Sequence, residues 1–273
     1  MPATPSYRLR LYLAGGVLVA AAATAVLALT ANGGDHDSTA NRGSARDKPS
    51  AAASVSTPSA APADEGLLAL ARRSPSDAMA VGRADAPVVL IEYADFQCPF
   101  CGQFARETEP ELLRRYVDKG VLRIEWRNFP VFGKESDQAA LAGWAAGKQD
   151  KFWEFYDTAF GKPRERNSGE FSAEKLVAMA REAGVPDLDT FRTDMASAAA
   201  RKAVARDQDE GYQLGVTSTP AFLVNDKPIL GAQPLKTFVS AIDAATKETG
   251  KGSGKENENG NENRNGKGSG GHE

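Results

Sequence analysis

The sequence has very little histidine and cysteine, with two residues of each among 273. His36 lies in a segment rich in Ala, Ser, Thr, Pro and Gly, and His272 is the second-last residue, so neither is expected in a folded core. This distribution argues against a Ser-His-Asp triad and a histidine-ligated catalytic metal. The chain lacks a glycine-rich phosphate loop ahead of a helix, which argues against nucleotide chemistry. Its net charge of −3, without a basic stripe, gives no support to nucleic-acid binding.

Two segments lack the apolar residues that a core requires. Residues 32–65 consist mainly of small and polar residues, and residues 247–273 contain no aromatic or aliphatic side chain. Neither segment buries enough apolar surface to offset the entropy of ordering its backbone. The sequence therefore predicts a disordered linker at 32–65, a disordered tail at 247–273, and a single domain at 66–246 between them.

One long uncharged run, LYLAGGVLVAAAATAVLALTA, occupies residues 11–31. As a helix rising about 1.5 Å per residue, it matches a hydrocarbon core roughly 30 Å thick. Arg8 and Arg10 precede the run, which places residues 1–10 in the cytoplasm and the domain outside. The prediction is a single-pass membrane anchor with an extracytoplasmic domain. The alternative is a signal peptide cleaved near VLA at 26–28, which would secrete the domain.

Strand and helix patterns alternate along the predicted domain. The apolar run APVVLIEYAD at 86–95 predicts a buried strand, and VLRIEWRNF at 121–129 predicts a second strand with alternating faces. A helical pattern occupies 99–119 between them, and a block of helices is predicted from about 135 to 214. PAFLVNDKPILGA at 220–232 then predicts a hairpin, and an amphipathic helix follows it. This order indicates an α/β fold with a helical insertion.

The two cysteines, Cys98 and Cys101, lie three positions apart in DFQCPFCGQF, directly after the predicted buried strand. A structural zinc site needs about four ligands, and the chain offers no third cysteine and no histidine outside its tails. A structural disulfide stabilises mainly by closing a long loop, and this loop is very short. The interpretation that remains is a redox-active pair.

The surroundings of the pair favour redox chemistry. Cys98 is expected where a strand ends and a helix begins, with Pro99 at the first helical position. Unpaired backbone N–H groups and the positive end of the helix dipole favour its thiolate, which is the species that attacks a disulfide. Cys101, one helical turn further on, is placed to attack Cys98 in return and release a mixed disulfide.

The segment APVVLIEYADFQCPFCGQF resembles the active-site segment of the DsbA family of thiol–disulfide oxidoreductases, in the thioredoxin-like superfamily. KFWEFYDTAF and GVTSTPAFLVND extend the resemblance over about residues 78–246. It implies a thioredoxin-like fold, with Cys98 as the attacking cysteine and Cys101 as the resolving one. It also implies that Thr219 and Pro220 form the loop opposite the cysteines, with Pro220 cis. The resemblance further implies that Pro99, Phe100 and Thr219 contact the substrate.

Two more positions bear on this resemblance: Glu92 agrees with the family pattern, and Phe100 departs from it. Glu92 is a charged residue inside an apolar strand, where relatives carry a buried acid that moves protons to or from the resolving thiol; the alternative is an edge or surface glutamate. Phe100 stands where many strongly oxidising members have histidine. Because phenylalanine cannot supply a positive charge, a less extreme Cys98 thiolate is expected.

The function predicted is extracytoplasmic disulfide exchange with exported, cysteine-containing proteins, in a membrane-anchored bacterial enzyme. The pair Cys98–Cys101 itself carries the electrons, so neither a cofactor nor a metal is expected. A membrane redox partner, quinone-linked by analogy, would reoxidise the pair. Two alternatives stay open: a reductase or isomerase acting on exported disulfides, and a non-catalytic peptide-binding chaperone on a thioredoxin scaffold.

Overall fold

The structure, a computed structural model, describes residues 63–259, with side chains described for residues 66–250. The predicted cytoplasmic segment 1–10, the predicted membrane span 11–31 and nearly all of the predicted linker 32–65 lie outside the described residues. Within the part that is described, every helix is too short or too polar to cross a membrane.

Five strands form one mixed sheet in the order β1-β3-β2-β4-β5. They are β1 Ala80–Val81, β2 Val88–Ala94, β3 Leu122–Asn128, β4 Ala221–Val224 and β5 Lys227–Leu230. β2 and β3 are parallel, and the other neighbouring pairs are antiparallel. Every residue of the central strand β2 is buried, which explains its nearly continuous apolar sequence.

The predicted hairpin is formed by β4 and β5, with Asn225 and Asp226 between them. Asn225 has a φ of +54°, a conformation that asparagine adopts more readily than most residues. In the register of β2 and β4, Tyr93 lies opposite Ala221. This pairing brings Pro220, which directly precedes β4, to the end of β2 where the cysteines follow.

The described residues contain helices before, between and after these strands. They are α1 Ala63–Leu68, α2 Pro99–Gln103, α3 Glu109–Leu112, α4 Lys134–Gly147, α5 Phe152–Phe160, α6 Ala173–Glu182, α7 Leu188–Met195, α8 Ala198–Gln213 and α9 Leu235–Asn259. The five helices α4 to α8 lie between β3 and β4 in the chain, where the sequence predicts the helical insertion.

The helix that follows the cysteines changes its winding along its length. α2 continues into a π segment, Phe104–Thr108, then into α3 and a second π segment, Leu113–Val117. The sequence predicts a kink at Pro110; in the structure the N–H of Glu109 bonds to the carbonyl of Phe104, five residues back. A proline ring needs more room in the preceding turn than an α-turn gives, and the wider π turn supplies it.

Aromatic residues join the cysteine loop to the helical insertion. Phe96 packs against the rings of Trp126, Phe152, Phe155, Tyr156 and Phe160. Trp144 and Trp153 are partly buried against the same cluster, which also contains both cysteines. The tryptophans and phenylalanines of this region therefore serve packing, as large aromatic side chains commonly do.

The charged face of β3 is buried as completely as its apolar face. Glu125 accepts hydrogen bonds from Arg123 Nε at 2.9 Å and from Arg127 Nη2 at 2.8 Å. It also accepts from the backbone N–H groups of Arg72 and Arg73, at 3.0 and 2.8 Å. The Glu125 carboxylate therefore connects the segment after α1 to the middle of β3.

The two predicted disordered segments overlap with helices of the structure where they adjoin the domain. α1 begins at Ala63, inside the predicted linker 32–65, and α9 continues to Asn259, inside the predicted tail 247–273. Phe238 and Ile242 of α9 are fully buried, so this helix is nucleated by packing. Extending an existing helix costs far less than starting one, which explains why the backbone of the polar sequence after Thr246 is helical as far as Asn259.

Candidate active site

The Cys-Pro-Phe-Cys motif lies where β2 gives way to α2. Cys98 is the N-cap residue of α2, with extended backbone angles, and Pro99 is the first residue of the helix. The N–H of Gly102 bonds to the carbonyl of Cys98 at 3.1 Å, so the first helical turn closes over the motif. Both cysteines are free thiols, with 3% of Cys98 and 0% of Cys101 exposed.

Asp95 holds the loop that carries Cys98. Its carboxylate accepts from the N–H of Gln97 at 2.7 Å, the hydroxyl of Ser136 at 2.8 Å and the N–H of Val131 at 2.7 Å. Its carbonyl accepts from the N–H of Cys98 at 3.0 Å. The position of the first cysteine is thus fixed from β2, from the loop after β3 and from α4 together.

The surroundings of Cys98 lower the pKa of its thiol to about 6. The largest cause is the thiol of Cys101, which acts as a hydrogen-bond donor to the Cys98 sulfur, and it outweighs the opposing effect of burial. The side chain of Thr219 and the backbone N–H groups of Cys101 and Phe100 lower the pKa further. The two backbone N–H groups are the helix N-terminal donors expected from the sequence.

Cys101 behaves in the opposite way. Burial raises the pKa of its thiol well above the ordinary value, and hydrogen bonding to Cys98 and the charges of Cys98 and Glu92 raise it further. At neutral pH the pair therefore holds one thiolate and one thiol. The site thus combines a sulfur of low pKa at the start of the helix with a protonated sulfur one turn further on.

Thr219 and Pro220 lie against the cysteine pair. The peptide bond between them is cis. Cys98 Sγ donates to the Thr219 carbonyl at 3.2 Å, a bond that the thiol makes and the thiolate does not. The Thr219 side chain acts in the other sense, because hydrogen bonding by it lowers the pKa of Cys98. In the thiol form that the structure shows, the Thr219 hydroxyl is buried without a hydrogen-bond partner among the described residues.

The residues between the cysteines face outward. Phe100 is 60% exposed, an unusual position for a large apolar side chain beside a reactive sulfur, and Pro99 is exposed as well. Phe100 and Pro99 therefore form apolar surface at the rim of the site.

Glu92 is buried in the middle of the sheet, with 1% of its surface exposed, and not at an edge. It lies opposite Trp126 on β3 and Phe222 on β4. Neither carboxylate oxygen has a hydrogen-bond partner among the described residues. Burial raises the pKa of Glu92 well above its ordinary value, and the charges of Glu109 and Cys98 raise it further.

Glu109 is a second buried acid that the sequence reasoning missed. It lies on α3, on the helix that begins at Pro99, with 3% of its surface exposed. Burial raises its pKa to about 8. Its spacing of about two helical turns from Cys101 is a signal in the sequence, because residues two turns apart share a helix face. Among the described residues, no group of three or more His, Cys, Asp or Glu side chains is arranged to hold a metal ion.

The reactivity of the two thiols is expected to differ sharply with pH. Alkylation of Cys98 by iodoacetamide should rise with a midpoint near pH 6, because the thiolate forms there, while Cys101 should stay unreactive in the folded protein. Phe100→His should move the midpoint to lower pH by adding a positive charge beside the sulfur. Mass spectrometry of the alkylated peptides measures both sites. A midpoint near 3.5, as in the strongest oxidants of this chemistry, would contradict the expectation.

A family model described as thioredoxin matches residues 74–244. The probable disulfide bond formation protein D of Bacillus cereus is 33% identical over 177 residues, which cover 63% of this chain and 81% of that protein. The crystal structure of oxidised BdbD from Bacillus subtilis is similar with a TM-score of 0.59 at 26% identity, covering 64% of this chain and 95% of that one. α-DsbA1 from Wolbachia pipientis is similar with a TM-score of 0.55 at 26% identity, covering 64% and 94%.

Proposed function

The chain belongs to the thioredoxin family and is a DsbA-like thiol–disulfide oxidoreductase, and we propose that Cys98 and Cys101 exchange disulfides with exported, cysteine-containing proteins. The observation that carries the proposal is the unequal pair of thiols. The pKa of Cys98 is lowered to about 6 and that of Cys101 is raised well above its ordinary value. One sulfur is thereby suited to form and release a mixed disulfide, and the other to resolve it.

In the oxidising direction, a substrate thiolate attacks the sulfur of Cys98 in the Cys98–Cys101 disulfide. A new bond forms between the substrate sulfur and Cys98, and the bond to Cys101 breaks. A second substrate thiolate then attacks the first substrate sulfur, and Cys98 departs as a thiolate. The substrate gains a disulfide, and the two electrons stay on the enzyme as the reduced pair, so no resident cofactor is needed.

The low pKa of Cys98 supports the oxidising direction. A stabilised thiolate stabilises the reduced protein relative to the disulfide, which makes the disulfide a better oxidant. The folded-state pKa of about 6 lies below the ordinary value of 9.0. The stabilisation is therefore fully present above pH 9 and is lost as the pH falls through about 6. The driving force for oxidising substrates should weaken in the same range.

Glu92 is proposed to donate a proton to Cys101 when that sulfur leaves. Its burial, its unpaired oxygens and the electrostatic coupling between Glu92 and Cys101 support this role. In the reverse direction the same carboxylate would accept the proton. Thr219 and Pro220 would bind the substrate backbone next to the sulfur, while Phe100 and Pro99 would contact its side chains.

The proposed setting is the outer face of the membrane. Residues 11–31 would anchor the chain with residues 1–10 in the cytoplasm, or would be cleaved and leave a secreted enzyme. The part of the predicted linker that precedes α1, residues 32–62, would have an r.m.s. reach of about 30 Å if flexible, enough to meet chains as they emerge. A membrane partner, quinone-linked by analogy, would reoxidise the pair after each turnover.

Cys101→Ser is expected to trap mixed disulfides between Cys98 and exported proteins, because the Cys98 thiolate still attacks a disulfide of such a protein and displaces one of its thiolates, but Cys101 can no longer attack the mixed disulfide that results. Non-reducing electrophoresis followed by mass spectrometry of the trapped partners measures this. Cys98→Ser/Cys101→Ser, the matched control, should trap none. Equal recovery of partners by the double variant would favour a chaperone that binds peptides without using the sulfurs.

The redox state of the pair in intact cells decides its direction. An oxidase should be recovered mostly as the Cys98–Cys101 disulfide after rapid acid quenching and thiol labelling, since its partner keeps it oxidised. Recovery mostly as the dithiol would favour the reductase or isomerase alternative.

A further inference from the structure

Three buried polar side chains near Cys101 do not bond to the disulfide-exchange groups. Glu92 comes from β2, Glu109 from α3 and Tyr156 from α5, and their exposed fractions are 1%, 3% and 0%. Both carboxylate oxygens of Glu92, Oε1 of Glu109 and the hydroxyl of Tyr156 have no hydrogen-bond partner among the described residues. Buried polar atoms are normally paired, so a cluster of unpaired ones requires an explanation. Clusters of this kind concentrate at functional sites.

The titratable groups act on one another in a sequence that leads away from the thiol. Burial raises the pKa of Cys101, Glu92 and Glu109, and the charge of a neighbouring acid raises each of these pKa values further. The charge of Glu92 raises the pKa of Cys101, the charge of Glu109 raises the pKa of Glu92, and the charge of Asp157 raises the pKa of Glu109. Tyr156 lowers the pKa of Glu109, although its hydroxyl is outside hydrogen-bond geometry in the structure.

The far end of this sequence reaches the surface. Asp157 follows Tyr156 on α5 and is exposed, yet the protein packed around its carboxyl raises its pKa to about 6, with a further contribution from Glu154. α5 is held against the helix of the cysteines, since Arg106 Nη1 donates to the carbonyl of Phe160 at 2.8 Å. The acids therefore lead from β2, beside a fully buried sulfur, by way of α3 to an exposed carboxyl on α5, a helix of the insertion.

We propose that Glu109 and Asp157 pass protons between Glu92 and solvent, so that Cys101 exchanges its proton through the helical insertion and not through the substrate surface. This inference rests on the proposed proton transfer between Glu92 and Cys101. It adds Glu109 as a second buried carboxyl and Asp157 as the group that exchanges the proton with solvent. The need arises because Cys101 has no solvent exposure of its own, so its proton has to pass through neighbouring buried groups. Tyr156 is a positioning residue beside Glu109.

The proton balance follows the bond changes. When substrate thiolate attacks Cys98, the Cys98–Cys101 bond breaks and its electron pair stays on Cys101. Protonated Glu92 gives its proton to that sulfur and becomes a carboxylate. Glu109 then returns a proton to Glu92 and is itself reprotonated from solvent by way of Asp157. When the reduced pair is reoxidised, the same proton travels outward.

The test is single-turnover oxidation of a dithiol peptide by the oxidised enzyme, followed by rapid quench from pH 5 to pH 9. Glu109→Gln should slow the reaction at pH 7 by about tenfold, a part of what a positioned proton donor contributes. It should also move the inflection of the rate to lower pH, because the charge that raises the pKa of Glu92 is gone. Asp157→Asn should slow the reaction in dilute buffer, because the group that exchanges protons with solvent is lost. Added imidazole should restore the rate of this variant, because a soluble buffer can carry protons in place of Asp157.

Glu107→Gln is the matched control, since Glu107 is exposed on the same helix and only hydrogen-bonds Gln103 there. It should keep the rate and pH profile of the natural protein. A Glu109→Gln profile identical to this control, or a normal Asp157→Asn rate in dilute buffer, would overturn the route. If Glu109→Gln does not fold, the surface variant Asp157→Asn decides the question alone. A natural enzyme that does not oxidise the peptide at all would instead overturn the proposed function.

Discussion

Cys98→Ser is expected to reduce disulfide formation in a reduced, unfolded client such as ribonuclease to the rate without enzyme. A serine hydroxyl neither ionises near pH 6 nor forms a disulfide, so both the thiolate and the acceptor bond are lost. The helix start should persist, because Pro99 and the loop held by Asp95 remain in place. Recovery of ribonuclease activity over time gives the rate.

Two measurements make this prediction decisive. Below pH 6, where the Cys98 thiolate no longer adds stability, the free energy of unfolding of Cys98→Ser should be close to that of the reduced natural protein, since no disulfide links the cysteines there. Glu107→Gln, the matched control, changes an exposed side chain on the helix that follows the cysteines and should retain turnover. Activity of Cys98→Ser above the rate without enzyme would show that the exchange chemistry resides elsewhere.

Glu125→Gln is expected to have the largest effect on stability, a loss of about 3–5 kcal/mol in the free energy of unfolding. Glu125 is fully buried between Arg123 and Arg127, at 2.9 and 2.8 Å. Removing its charge leaves two buried guanidinium groups without their shared counter-charge, which is far more costly than losing a surface ion pair. Urea or guanidinium denaturation of the reduced protein measures the loss.

Glu111→Gln is the control for this change. Glu111 pairs with Arg114 and Arg115 on the exposed side of the helix, where solvent screens the charges. Its replacement should leave the unfolding midpoint within experimental error of the natural protein. Equal midpoints for Glu125→Gln and Glu111→Gln would mean that the buried network contributes no net stability.

The same carboxylate predicts a pH dependence. Burial alone would raise the pKa of Glu125, but hydrogen bonds from Arg127 and Arg123 outweigh burial and hold the pKa at about 2. The folded-state pKa is thus below the ordinary value of 4.5. Its contribution is present above pH 4.5 and is lost as the pH falls from about 4.5 towards 2. The acid-unfolding curve of Glu125→Gln should be flatter than that of the natural protein in this range.

Local pattern in the sequence was enough to place the reactive pair. A buried strand followed by Cys98, Pro99 and a helical period specifies the sulfur at a helix N-terminus, because each step depends on neighbours within a few residues. Glu92 stood out because it interrupts an apolar strand. Thr219 and Pro220, more than 100 residues later, were assigned only through resemblance to a family, since no local pattern relates them to the cysteines.

Burial was the property that sequence reasoning misjudged. The alternating pattern of β3 predicts that Arg123, Glu125 and Arg127 share one face of the strand. It does not predict that this charged face is buried. That cover comes from the segment at Arg72 and from α8, which lie far away in the chain. Likewise, the length of α9 depends on its packed first turns and not on the composition of its end.

The sequence by itself determined where the two sulfurs lie, because a strand-to-helix junction is defined by short-range backbone geometry. Only the tertiary structure decided which groups surround those atoms. Glu109 and Tyr156 meet Glu92 because three elements pack together, and Glu125 is surrounded by cations because the sheet is covered on that side. Electrostatic effects depend on distance in space and on exclusion of water, and neither is written in the spacing of residues along the chain.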